Sequence, residues 1–390
     1  MLELIFLLLG IAFGTFTGLI PGIHVNTVIA FILPLLPSFD INVYCVVVMI
    51  IAMSVTHTFV DYVPSIFLGA PDDDAVLSVL PGHRMLLKGE GYDAVRLTVP
   101  GVVGALVLSL FFLPFSIKFL PFIYSLSKKV LPFILSSILL YMVLTEKGSR
   151  KFFAALVTAY AGILGLILMG DEGAIFPALT GFFGMSTLLL SMKTHPNIPK
   201  QKLGEDFHVS IKGIVLGSMA GIFSGLFPSV GASQSATLMQ NFFGRREDKE
   251  FLIAMGGVNT IEAIFAFLSL YLIGKPRSGA SIAVEKLLNE ICFKDFLFML
   301  GTVLASTLFA SVVTLRIAKF FACRISEIDY RSISVIVLLF LIVIIQVIAG
   351  IRGLIIALAS ACIGIIAQLT GVKKSQCMSF LMLPTILMMV

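Results

Sequence analysis

Apolar runs about the length of a bilayer-spanning helix follow one another from end to end of the chain, separated by short polar or Gly/Pro-rich stretches. They cover residues 2–19, 41–60, 97–115, 130–144, 152–169, 173–190, 209–227, 251–273, 296–315, 333–350, 353–370 and 378–390. A spanning helix needs roughly 20 mostly apolar residues, so the pattern predicts about 10–12 crossings, the shorter runs standing as candidates for re-entrant segments. The predicted fold is an all-α integral membrane protein, a polytopic helical bundle with broken or re-entrant helices.

Composition agrees with that pattern. Hydrophobic residues make up 58% of the 390 and charged residues 13%, with mean hydropathy +1.06. Soluble domains are roughly 45–50% apolar and about 25% charged. A soluble protein of this size cannot hide so much apolar surface, whereas in a bilayer lipid is the solvent. Net charge is +5, and the basic residues fall between apolar runs. That reads as membrane topology and not as a nucleic-acid surface. Cys45, Cys292, Cys323, Cys362 and Cys377 show no CxxC or Cys/His pairing. They are read as packing residues, with neither disulfide nor metal. The 34 Phe are read as lipid-facing and core packing. Residues 2–19 have no basic leader and run into Gly-Leu-Ile-Pro-Gly, which marks a first helix and not a signal peptide.

The chain repeats one plan. Gly18-Leu19-Ile20-Pro21-Gly22 returns as Gly225-Leu226-Phe227-Pro228-Ser229, Ile51-Ala52-Met53 as Ile253-Ala254-Met255, and Gly69-Ala70-Pro71 as Gly274-Lys275-Pro276. Arg150, Ala155-Leu156 and Gly162-Ile163 return as Arg352, Ala357-Leu358 and Gly364-Ile365. The order is kept at a spacing of 202 to 207 residues, which divides the chain into repeats over 1–205 and 206–390. On the same alignment Asn259 answers His57. The turn over 146–151 and the loop over 193–212 are basic, while Asp171-Glu172 between them is acidic. Positive-inside logic places the first two in the cytoplasm and the acidic turn outside. Its counterpart is Lys373-Lys374. Opposite charge at equivalent turns is what inverted repeats show. The basic segment over 316–331 is then cytoplasmic. Its counterpart over 118–129 is also basic, against inversion, so a parallel repeat stays open.

Both repeats place Gly and Pro inside apolar sequence, where Pro removes a backbone donor and Gly loosens the helix. Within a membrane such breaks are tolerated where they line protein or water. Half-helix N-termini then present N–H groups and positive dipole ends to an anion. Matching interruptions in two halves are the best sequence pointer to a transporter's binding site. The first pair supplies Gly18, Pro21, Gly22, Asn26 and Thr27, with His24 beside them. Its counterpart supplies Pro228, Ser229, Ser233, Gln234 and Ser235. These polar groups can hold carboxylate oxygens or a cation; the plain alternative is a Pro-kinked helix with its backbone satisfied locally. The second pair sets Asp72, Asp73 and Asp74 after Gly69-Ala70-Pro71, and Lys275 and Arg277 around Pro276. Lipid-facing Asp would cost roughly 2.5–3.5 kcal/mol each, so these face water, protein or a cation. They serve as cation-coupling candidates, with Lys275 and Arg277 drawing a carboxylate, or both runs are loop ends at the membrane surface.

His57 and Asp61 lie four apart, on one helix face. They join the cation-coupling candidates, a structural hydrogen bond being the alternative. Glu262 follows Asn259 by three. His83, Arg84, Lys88, Glu90 and Asp93 read as a solvated loop. No P-loop, HExxH, GxSxG or dinucleotide fingerprint is present in the sequence.

These residues resemble a known family. Gly18–Gly22, the tract over 34–37 and above all Phe67-Leu68-Gly69-Ala70-Pro71, Leu80-Pro81-Gly82-His83 and Lys88-Gly89-Glu90-Gly91 resemble the large permease subunit of tripartite tricarboxylate transporters, TctA. Gly170-Asp171-Glu172-Gly173 and Leu179-Thr180-Gly181-Phe182-Phe183-Gly184 are similar to a further family stretch, as are 225–231 and 274–279. Asp72, Ser229, Lys275 and Arg277 replace the family's usual residues, the mark of a divergent branch. The resemblance implies secondary transport driven by a proton or sodium gradient. It also implies two partners, a small membrane subunit and an extracytoplasmic substrate-binding protein.

The resulting expectation is a multi-pass permease of the cell membrane, not an enzyme, moving a small di- or tricarboxylate-like anion by alternating access. No cofactor is expected beyond a coupling Na+ or H+, and a homo-oligomer stays open. The rival readings are an intramembrane enzyme built on His57 with Ser54 or Asp61, and a channel or flippase.

Overall fold

The computed structural model describes residues 2–20, 25, 28–29, 41–69, 79–194, 198–204, 209–226, 232, 235, 248–288, 290–327 and 330–389. Among the described residues the chain is helical and has no strand. The first half contains α1 (Leu2–Leu19), α2 (Val43–Val60), α3 (Tyr62–Phe67), α4 (Val79–Leu87), α5 (Gly91–Arg96), α6 (Thr98–Leu144), α7 (Arg150–Ile167), α8 (Ile175–Leu179) and α9 (Ser186–Thr194). The second half contains α10 (Ile211–Leu226), α11 (Asp248–Ile273), α12 (Gly279–Leu288), α13 (Phe293–Arg324), α14 (Tyr330–Leu369) and α15 (Ser379–Met389). A π-helical turn, Thr180–Met185, joins α8 to α9. Among the described residues seven helical stretches are long and apolar enough to cross a membrane, accompanied by the shorter apolar helices Pro132–Leu144, Ile175–Leu190 and Ile211–Leu226.

Local chemistry sets the helix starts. Asn42 Oδ1 accepts from the Tyr44 amide at 2.9 Å and caps α2, satisfying a donor that the first turn leaves free. Asp295 does the same for α13, where its Oδ2 accepts from the Cys292 amide at 2.9 Å. Tyr44 then donates to Asp295 Oδ1 at 2.8 Å, fixing the starts of α2 and α13 side by side.

α2 with α3 and α11 form the interior, while α1, α6, α7 and α14 cover it. The covering layer turns Phe outward: Phe111 and Phe133 are 76% and 73% exposed. Glycine sets the closest approaches. On α1, Gly10 faces Met49 and Ala52, Gly14 faces Met53 and Thr56, and Gly18 faces His57 and Val60. A Cβ at Gly14 would stand 2.8 Å from that of Thr56. Small residues four apart let two backbones touch, the usual way membrane helices associate. On α10, Gly217 faces Ala254, Gly221 faces Val258 and Ile261, and Gly225 faces Glu262 and Phe265. In each pair contact numbers climb together, so α1 runs parallel to α2 and α10 runs parallel to α11. The chain thus leaves α1 at one end of its pair and enters α2 at the other.

Helices from the two halves are interleaved. α6 packs on α11, with Gly101 against Ile253 and Gly256 against Thr98. α13 packs on α2, where the Tyr44 and Phe298 rings meet edge to face at 5.4 Å. α7 meets α15 through Gly165 at Phe380, and α14 meets the π-turn through Gly181 at Ala357 and Ser360.

Three expectations are corrected. The basic segment over 118–129 is not a loop but part of α6, which runs unbroken through Pro114, Pro121 and Pro132. At about 1.5 Å per residue such a helix is roughly 70 Å long, more than twice a hydrocarbon core of about 30 Å. One helix can therefore hold a span, a basic stretch and a second apolar segment. The run from His83 to Asp93 is not a solvated loop either: α4 and α5 occupy it, Met85 and Leu86 pack in the core, and His83 is buried. Lys374, expected in a charged turn, is buried as well. By contrast, the break expected between 350 and 353 is present. Gly350 (φ 62°) kinks α14 with a left-handed backbone that glycine tolerates.

Candidate functional site: a polar centre between the breaks

The interior helices carry polar groups where an all-apolar surface would pack. His57, Asp61 and Tyr62 are each 2% exposed, at the junction of α2 and α3. Thr17 Oγ1 lies 3.0 Å from His57 Nδ1 and 3.2 Å from Gly14 O, in hydrogen-bond contact with both. Ser65, one turn past Asp61, donates to Asp61 Oδ1 at 3.4 Å. From α11, Asn259 Nδ2 donates to the Tyr62 hydroxyl at 3.1 Å. Among the described residues the buried Asn259 Oδ1 atom has no hydrogen-bond partner, and the same holds for the Thr56 and Ser235 hydroxyls. Each such atom costs about 1–3 kcal/mol unless water or a ligand meets it.

This cluster marks where both breaks begin. Gly18, the last close contact of α1, lies against the backbone of His57 and Asp61, and the first Gly/Pro break follows it. Gly225, its counterpart on α10, lies against Glu262, and the second break follows. Val25 and Ile29 pack in one apolar cluster with Val47, Ile51 and Phe265. Ala232 packs with Ile253 and Val258, and Ser235 is fully buried. The described residues of both breaks are therefore inside the protein.

Arg277 lies in the stretch between α11 and α12. Its guanidinium stacks 4.9 Å from the Tyr124 ring, and its Nε donates to Ser269 Oγ at 3.3 Å. The backbone amides of Arg277 and Ser278 both donate to Ser281 Oγ at 2.8 Å, folding the stretch onto the start of α12. Nη2 is buried with no hydrogen-bond partner among the described residues. A cationic fork with one arm unused suits a carboxylate, which can accept from it directly. Lys275 is exposed.

Of the other residues selected from sequence, Pro21, Gly22, Asn26, Thr27, Pro228, Ser229, Ser233, Gln234, Asp72, Asp73 and Asp74 lie outside the described residues. Gly18 faces a neighbouring helix, so its role in the geometry is close packing. Thr17, Tyr62 and Lys374 were not selected. The four-residue glycine spacing on α1 would have pointed to Thr17 and its neighbour on α2; nothing in the local sequence marks Tyr62 or Lys374. Lys374 Nζ donates to Phe183 O, Ser186 Oγ and Thr187 Oγ1. Among the described residues no group of His, Cys, Asp and Glu is placed to hold a metal ion.

Apolar spans wrapped around a buried polar junction define a multi-pass helical membrane protein. Its relatives give the class. A family model described as the tripartite tricarboxylate transporter TctA family matches residues 4–379. An uncharacterised protein of Methanocaldococcus jannaschii is 31% identical over 402 aligned positions, which take in 99% of each chain. No solved structure matches the chain. The chain belongs to the tripartite tricarboxylate transporter TctA family, a family of membrane transport components.

Proposed function

We propose that this protein is the permease of a secondary carrier that moves small di- or tricarboxylate-like anions across the cell membrane by alternating access. A proton or sodium gradient supplies the driving force. The anion sits at the junction of the two breaks, with the polar residues of the breaks as its contacts, and Arg277, whose side chain meets Ser269 about 15 Å along α11 from Asn259, attracts it. Asp72, Asp73, Asp74, His57 and Asp61 serve the coupling ion. The observation that carries the reading is the Asn259–Tyr62 hydrogen bond, which ties α11 to the junction of α2 and α3, beside the ends of α1 and α10. The Oδ1 atom of the same Asn259 is buried with no hydrogen-bond partner among the described residues, as a site for a polar solute requires.

We propose further that 1–205 and 206–390 are two repeats, inverted in the membrane. The matching glycine contacts of α1 on α2 and α10 on α11 support the repeat. Their register pairs His57 with Glu262, and not with Asn259, because Gly18 and Gly225 face those two residues. Interleaving of the halves suits a carrier in which one repeat rocks against the other. A small membrane subunit and an extracytoplasmic binding protein are the partners this reading assigns, and self-association would add copies of the same unit.

Uptake by proteoliposomes tests the reading. With a panel of labelled carboxylates and imposed proton or sodium gradients, one substrate should accumulate saturably and only with a gradient. Gradient-independent, non-saturating flux favours a channel, and failure of every combination contradicts a carrier.

A further inference from the structure

Lys374 opens the 3-10 turn Lys374–Met378, which links α14 to α15 outside every candidate span. Its side chain does not turn to solvent; the residue is 3% exposed. An ammonium has three N–H donors, and three oxygens receive them: Thr187 Oγ1 at 2.6 Å, Ser186 Oγ at 2.8 Å and Phe183 O at 3.2 Å. None of the three is charged. Buried lysines are ordinarily paired with an acid, yet among the described residues no carboxylate meets this one.

The cradle is built for a cation. Ser186 gives its own proton to Phe182 O at 2.5 Å, and Thr187 gives its proton to Phe183 O. Both hydroxyls therefore turn lone pairs toward Nζ. Phe183 belongs to the π-helical turn, a feature common at functional sites. One carbonyl and two hydroxyl oxygens at this range are also ligands that a hard monovalent cation accepts, and carriers place such sites at irregular backbone. Gly69, just before the segment bearing Asp72, Asp73 and Asp74, lies against Leu188 on the turn after Thr187.

We infer that the Lys374 ammonium is a tethered cation filling a three-oxygen cradle suited to sodium, and that this cradle takes no sodium while the lysine is in place. Burial holds the ammonium down to about 7, the Cys377 side chain opposing that shift weakly. The other titratable groups nearby are few. His83 on α4 is held below the usual imidazole range by burial first, and also by the Lys374 charge. Cys377, in the same turn, has a thiol pushed up to about 12 by burial and stays protonated. Lys373 precedes Lys374 in the chain, and the guanidinium of Arg150 on α7 lies against Gly371.

Thermal unfolding of the purified protein in sodium and in N-methylglucamine tests this without any substrate, so failure of the carrier reading would appear in uptake and not here. The unaltered protein should melt at one temperature in both salts. Lys374→Ala empties the cradle and should gain a saturable rise of a few degrees with sodium. Adding Ser186→Ala and Thr187→Val to that variant should remove the rise. A Lys374→Ala protein indifferent to sodium, or an unaltered protein stabilised by it, overturns the inference. Should Lys374→Ala not fold, the unaltered protein decides alone. Its melting temperature should climb between about pH 7 and 10, equally in both salts, because a depressed lysine leaves the unfolded chain binding more protons over that window. No climb, or one that sodium alters, overturns the inference.

Discussion

Asn259 reaches from the middle of α11 to donate a 3.1 Å hydrogen bond to the hydroxyl of Tyr62, the first residue of α3, and this bond joins the two halves of the chain. Tyr62 follows Asp61, whose backbone touches Gly18 at the end of α1. Asn259 stands one turn before Glu262, whose backbone touches Gly225 near the end of α10. A single neutral hydrogen bond contributes about 0.5–1.5 kcal/mol to stability. Its position gives it more consequence for transport than for folding.

Tyr62→Phe removes the acceptor and keeps the ring. The melting temperature should fall by a few degrees at most, while initial uptake falls by about tenfold, equivalent to 1.4 kcal/mol in the barrier. Asn259→Ala should do the same, and the double variant should be little worse than either single one, since both remove one coupling. Additive losses of uptake would mean the two residues act separately.

Close helix contact makes a second prediction. Gly14→Leu drives a side chain into Thr56, 2.8 Å from where its Cβ must stand. Folded, monodisperse protein in detergent should be lost, by size-exclusion chromatography. Gly301→Ala is the contrasting change: this glycine lies inside α13 with nothing within 4 Å of an added Cβ. It should raise stability by about 0.4–1 kcal/mol, because alanine restricts the unfolded chain.

Arg277→Lys keeps the charge and loses the planar fork. Uptake should show a KM raised by about tenfold with little change in maximal rate, and the thermal midpoint should stay within a few degrees of the original. A KM unchanged by this substitution would mean that the Arg277 fork does not attract the anion.

His83 gives a pH dependence with a definite sign. Burial, with the Lys374 charge adding to it and the Ile66 carbonyl opposing, lowers its imidazole below the ordinary value of 6.5. The unfolded chain therefore binds more protons, and stability falls as pH drops through 6.5 toward the depressed value. Melting temperatures recorded between about pH 4.5 and 7 should fall on acidification, and His83→Gln should flatten that slope.

Much of this architecture was legible in the order of residues. Apolar length predicted the spans, and paired Gly and Pro predicted where helices end, because both signals are local. The end of α11 at Ile273, just before Gly274, is one instance. What misled was charge taken as a sign of solvent. The basic residues over 118–129 do not interrupt α6, since lysine is a good helix former. Lys374 and His83 are buried because partners far along the chain receive them: Ser186 and Thr187 in one case, Ile66 in the other. The pairing of His57 with Thr17 was hidden for the same reason, although glycines at 10, 14 and 18 announced a close neighbour.

The most direct test of a carboxylate site at the junction of the breaks is thiol labelling of Ser235→Cys in a protein otherwise free of cysteine. Ser235 is fully buried, and its hydroxyl has no hydrogen-bond partner among the described residues. The introduced thiol should react with a small membrane-impermeant reagent from either side of the membrane in turn, and the carboxylate that supports uptake should protect it. Labelling from one side only, or labelling that the transported carboxylate leaves unchanged, would contradict the account.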